Sequence, residues 1–141
     1  MEKMKVKNFD YFMEANSSEL NSESFPMEFF AIVALMAEDC EYNITQLYSS
    51  FDRLFIEGET KGEFSEDCKL ILRYNCGNLT IAKLKFINTR QGKMTELYRL
   101  LKQIKKKYGY EHIVLENCNE LSSAWAKKNG FNPTLPKMFI D

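Results

Sequence analysis

The chain has 141 residues, of which 45% are apolar and 28% charged, an ordinary globular composition long enough for one domain with its own core. Its formal net charge of -1 hides an asymmetry: residues 1–78 carry 7 Lys/Arg against 15 Asp/Glu (net -8), and residues 79–141 carry 12 against 5 (net +7). Cys40, Cys68, Cys76 and Cys118 form no C-x-x-C pair and His112 is the only histidine, so a metal centre, which needs closely spaced ligands, is not expected.

At the start of the chain, Met4 to Phe9 alternates weakly and reads as a short strand. Ala15 to Ser24 is polar and reads as a loop, and no charged-then-apolar leader is present. We therefore read a cytoplasmic protein with reduced thiols. Pro26 suits the first turn of a helix running to Asp39, where its missing N–H costs nothing. Met27 to Ala37 is apolar nearly all round, but these eleven residues fall short of the roughly 20 that a membrane-spanning helix needs. A buried helix is expected, and no membrane association. A second helix is expected after Asn43 as its cap, with Ile44, Leu47, Tyr48, Phe51, Leu54 and Phe55 on one face at i, i+3, i+4 spacing.

Glu57 to Asp67 is acidic and turn-like, with Gly58 and Gly62. Lys69 to Tyr74 then reads as a strand, Asn75 to Asn78 as a hairpin turn, and Leu79 to Asn88 as a second strand. After a polar loop, Thr95 to Tyr108 carries Leu97, Leu100, Leu101, Ile104 and Tyr108 along one helical stripe, with Gly109 as the stop. His112 to Glu116 has the continuous apolar run of a buried central strand. Asn119 caps a last helix reaching Asn129 and ended by Gly130, and Lys137 to Ile140 adds a final strand after Pro133 and Pro136. This order predicts a single α/β domain with a mixed central sheet and helices on both faces. The crossover from Leu79 to Leu115 should be parallel and right-handed.

The loop Thr89-Arg90-Gln91-Gly92-Lys93-Met94 joins a strand to a helix N-terminus. First-turn N–H groups there have no partner within the helix, and the helix dipole is positive at that end. A strand, a glycine loop and a helix start are thus a device for holding an anion, and Arg90 and Lys93 add positive charge. The bland alternative is a basic turn with no ligand.

The residues from Leu79 to Phe131 resemble the GNAT N-acetyltransferase superfamily. Its cofactor loop, Gln/Arg-x-x-Gly-x-Gly/Ala between a strand and a helix, is matched here by Thr89 to Met94. Its next helix typically opens with Asn and closes in Gly-Phe, as do Asn119 and Gly130-Phe131 here. The resemblance implies a GNAT-like domain over residues 1–141, with 79–131 as the coenzyme-binding core and the acidic residues 1–78 as the acceptor side. Acetyl-CoA would be the co-substrate. The amides of Gln91 to Thr95 would cradle its pyrophosphate, with Arg90 and Lys93, and Arg99 or Lys102, reaching the outer phosphate. The edge Lys85 to Asn88, including Phe86, Ile87 and Asn88, would take the pantetheine arm as an added strand. Asn119 completes the expected cofactor site.

The resemblance implies direct attack of an amine on the thioester. The acceptor would be a small molecule or a protein: a polyamine, a lysine side chain or an aminoglycoside. A homodimer is also admitted. Glu116, at a strand end, is the candidate water-relaying base, set against an ordinary salt-bridged strand end. The departures are Thr89 at the Gln/Arg position, Met94 at a small-residue position, and Ala126 where many members place the tyrosine that protonates the coenzyme thiolate. Alanine donates no proton, which raises the alternative of a binding or inhibitor protein without turnover. A plain α/β interaction module that binds no coenzyme is the third reading. Cys118 and His112 read as structural. Lys105 to Lys107 form a solvated helix face rather than a nucleic-acid site, and Phe29, Phe30, Tyr48, Phe51 and Phe55, candidates for lining an acceptor pocket, read first as core at helical spacing.

Overall fold

Period-two alternation builds the sheet. A computed structural model describes residues 28–49, 52–74, 77–89 and 91–141. In chain order the elements are α1 (Phe29–Asp39), β1 (Ile44–Ser49), β2 (Arg53–Glu59), β3 (Asp67–Arg73), β4 (Asn78–Lys85), α2 (Lys93–Tyr108), β5 (His112–Leu115), α3 (Glu120–Lys128), β6 (Asn132–Pro133) and β7 (Phe139–Ile140). Leu54, Ile56 and Gly58 in β2 lie opposite Leu72, Leu70 and Cys68 in β3, so the buried residues of both strands fall on one face. All seven strands form one sheet in the order β1-β2-β3-β4-β5-β7-β6. Its pairs are antiparallel except β4 with β5, which makes it the mixed sheet expected.

β4 and β5 pair only over Asn78–Ile81 and His112–Leu115. Glu116 N–H still donates to the Ile81 carbonyl at 2.9 Å, and Asn117 Nδ2 to the Ala82 carbonyl at 2.8 Å. The chain then turns at Asn117, whose φ is 55°. β4 runs on to Lys85 without its parallel neighbour, and this one-sided end shapes the site below.

α1 presents Phe29, Ile32, Val33, Met36 and Ala37 to the sheet, and α2 presents Leu97, Leu100, Leu101 and Ile104. Both join a single core cluster with Leu79, Ile81, Ile113, Leu115, Ala126 and Phe139. The crossovers β4-α2-β5 and β5-α3-β6 step the same way across the sheet, so right-handed connections place α2 and α3 on the same face. Tyr98 of α2 meets Trp125 of α3 edge-on at 5.4 Å, and Phe131 packs on both rings. The short strand expected at Met4 to Phe9 and the loop Ala15 to Ser24 lie outside the described residues. Among the described residues no helix is long and apolar enough to cross a membrane.

The helix expected after Asn43 is instead the hairpin β1–β2. The register shifts between Ile44 and Gln46, and this bulge brings Ile44 and Leu47, three apart, to the same buried face. A bulged strand thus imitates helical spacing. Tyr48 and Phe55 are directly paired and stack at 4.9 Å on the other face. The strand expected from Leu79 to Asn88 ends at Lys85, because the amides of Ile87 and Asn88 turn inward to a buried carboxylate.

Candidate functional site

Gly92 caps α2 from a left-handed conformation, φ 74°, ψ 9°. Nothing lies within 4 Å of where a Cβ would stand, so glycine is required there by the turn rather than by crowding. The cap offers no side chain to the helix. The first-turn amides therefore point outward at the positive end of a 16-residue helix, and Glu96 N–H closes the first turn on the Gly92 carbonyl at 3.0 Å.

In front of this helix end lies a cleft of about 250 Å³. The free end of β4 supplies Leu84, Lys85 and Phe86. The following loop and helix start supply Asn88, Thr89, Gly92, Lys93, Met94 and Thr95, and α3 supplies Leu121, Ser122 and Trp125, with Asn119 at its start. Trp125 Nε1–H donates to Thr95 Oγ1 at 3.1 Å, tying α3 to the first turn of α2. Asn119 makes a full capping box: its Oδ1 accepts from Ser122 N–H and its own N–H donates to Ser122 Oγ, both at 2.9 Å.

Of the residues singled out in the sequence, Phe86, Asn88, Gly92, Lys93, Met94, Thr95 and Asn119 line this cleft together. Gln91 is exposed beside it, and Arg90 lies outside the described residues. Ile87 packs against the core, and its N–H is spent on Asp39 at 2.6 Å. The strand edge facing the cleft is thereby shortened to residues 84–86. Glu116 is not in the cleft. Its carboxylate meets Arg73 Nη2 at 2.5 Å, the salt-bridged strand end weighed against catalysis. Arg99 is held by Glu96 (Nε to Oε2, 2.9 Å), and Lys102 stands 4.6 Å above the Tyr98 ring, so both have partners on the helix itself.

Ala126 is fully buried in the core. The cleft side of α3 is instead Ser122 and Trp125, one helical turn apart. Lys85 and Lys93 are the titratable side chains among the described lining residues. Lys85 bonds Asp67 at 2.7 Å, an exposed pair that raises the lysine and lowers the carboxyl from their ordinary values. Cys118 is buried elsewhere, its thiol pushed up by burial. Cys40 and Cys68 are core residues, and their mutual hydrogen bond, with burial, pushes Cys68 well up. His112 Nδ1 lies 3.3 Å from the Asp141 carbonyl at the start of β5. No cluster of three or more potential metal ligands occurs among the described residues.

Sequence reasoning missed Asp39, which has no exposed surface. Its Oδ2 accepts from Ile87 N–H, and its Oδ1 from Asn88 N–H at 3.0 Å and Asn88 Nδ2 at 3.2 Å. Its carbonyl accepts from Asn88 Nδ2 at 3.1 Å, and Lys93 Nζ lies 3.6 Å from Oδ1. The only hint in the sequence was a carboxylate closing an otherwise apolar helix.

No protein-family model matches this chain, and no curated protein matches it. A solved structure that resembles it is the PaiA N-acetyltransferase from Thermoplasma acidophilum in complex with coenzyme A. The identity is 21% and the TM-score 0.45, over 63% of this chain and 58% of that one.

Proposed function

We propose that the cleft receives the pantetheine arm and pyrophosphate of acetyl-CoA, and that the protein transfers the acetyl group to an amine. The observation that carries this reading is the one-sided end of β4, which leads directly to the bare, positive N-terminus of α2. The residues 84–86 edge offers an extended partner for the arm, and the amides of Lys93 to Thr95 offer donors for phosphate oxygens. The amine nitrogen would attack the thioester carbonyl, forming C–N and breaking C–S, with the amine proton leaving to water and the thiolate as product. The acidic residues 1–78 suit a cationic acceptor such as a polyamine or a lysine side chain.

A second reading, a coenzyme-binding protein without turnover, is favoured by one observation. The described cleft lining holds two lysines but no carboxylate, tyrosine or cysteine to exchange a proton. Calorimetric titration with acetyl-CoA tests what the two readings share, and absence of binding at millimolar coenzyme rejects both. Thiol release with a panel of amines then separates them. Gly92→Trp, which adds bulk at the cleft lining and strains the left-handed turn, is expected to abolish binding while the far-ultraviolet dichroism stays that of the parent, since the strain is confined to the cap of α2. Undiminished binding would mean the site lies elsewhere.

A further inference from the structure

We infer that Asp39 is the positioning residue of the anion loop: it fixes the loop between β4 and α2 and holds Lys93 ready beside the helix end. This rests on the acyl-CoA reading above and adds a residue outside the cleft to it. A carboxylate with no exposed surface is costly unless its oxygens are satisfied. Here they accept three N–H bonds from Ile87 and Asn88, residues almost fifty positions away, and the remaining counter-charge is the Lys93 ammonium at 3.6 Å. Lys93 is itself 11% exposed and is the first residue of α2.

The arrangement has a direct consequence for an anion. The loop backbone is tied from behind, so Gly92 and the first-turn amides keep their direction before any ligand arrives, and less order is lost on binding. Lys93 cannot swing into solvent without leaving a buried negative charge unpaired, so its ammonium stays within the cleft wall. A diphosphate at the helix end then shares Lys93 with Asp39. Because Asp39 acts on the phosphate end of the cleft, its removal should hurt ligands with a diphosphate more than ligands without one.

The test compares acetyl-CoA with S-acetylpantetheine, which lacks the diphosphate, in the parent and in Asp39→Asn. The asparagine keeps the shape but cannot accept all the N–H bonds or pair with Lys93. The affinity ratio of acetyl-CoA to S-acetylpantetheine is expected to fall about tenfold, and the Ile87 and Asn88 amides should exchange at least about tenfold faster by NMR. A merely structural role would weaken both ligands alike and leave the ratio unchanged, which overturns the proposal. Should Asp39→Asn fail to fold, Asn88→Ala removes the side-chain bonds to Asp39 while keeping the carboxylate. Because Asn88 also lines the cleft, a ratio reduced about threefold must come together with faster exchange of the Ile87 amide, and unchanged Ile87 exchange or an unchanged ratio overturns the proposal. If the parent binds no acetyl-CoA, the acyl-CoA reading fails, and amide exchange alone decides whether Asp39 holds the loop.

Discussion

At Gly58 the sheet has no room for a methyl group: an added Cβ would stand 2.5 Å from Cys40 Sγ and 3.0 Å from the Asn43 carbonyl. Gly58→Ala is expected to destabilise the fold by roughly 1–3 kcal/mol through overpacking. Cys40→Ala in the same chain should recover part of that loss, read as a shift of the urea midpoint, and strictly additive effects would mean that the two sites do not touch. Gly92 is a different case, open in space and constrained only by its positive φ. That difference decides what a sequence can reveal. A glycine opening a helix after a basic loop announces a turn, so the residues that meet around Gly92 were legible as a group. Gly58 looked like part of an acidic turn, and Asp39 like the end of an apolar helix. The partners of both lie far along the chain, and spacing carries no information about them.

Between elements, the clearest tie is Glu28, which stands just before α1 and bonds Lys107 and the Tyr108 hydroxyl at the far end of α2. The bond from Lys107 is the main cause that holds the Glu28 carboxyl below its ordinary value near 4.5. A depressed carboxyl contributes stability that is present above the unfolded value and lost as pH falls through the folded one. The clamp should therefore weaken on acidification below about pH 4.5. An NMR titration should show Glu28 with a midpoint below 4.5 that rises toward the ordinary value in Lys107→Met, where the backbone and Tyr108 bonds remain. An unmoved midpoint would show that Lys107 is not its partner in solution. α2, β5 and α3 were legible as elements because their apolar spacing is regular. The hairpin β1–β2 was not, since the bulge near Thr45 gave two same-face residues a helical separation.

For the molecule as a whole, the opposite charges of the two halves are partly spent within the fold. Asp39 with Lys93, Glu28 with Lys107 and Asp67 with Lys85 each pair an acid of the first half with a base of the second, while Arg73 with Glu116 runs the opposite way. The exposed ones among them contribute little to stability, unlike the buried Asp39–Lys93 pair. The acid–base asymmetry therefore speaks less for an anionic ligand than its size suggests, and the positive helix end carries more of that argument. If acetyl-CoA binds the native state only, coenzyme at about 100 times its Kd adds about 2.7 kcal/mol. The melting temperature of a chain this size should then rise by roughly 8–10 °C. Dephosphorylated coenzyme, which keeps the diphosphate, should retain most of that rise. No rise with either ligand would remove coenzyme binding altogether.

By itself the sequence determined the α/β class, the amphipathic helix after Gly92, the parallel crossover and most of the residues that meet at the cleft, because each is written in local periodicity or a local turn. The tertiary structure alone decided which of them share a wall. Glu116 went to Arg73 and Ala126 into the core, while Ser122 and Trp125 turned to the cleft. Asp39 was placed behind the loop. Those outcomes depend on strand register, on where β4 outruns β5, and on contacts between residues almost fifty positions apart, none of which a local pattern encodes.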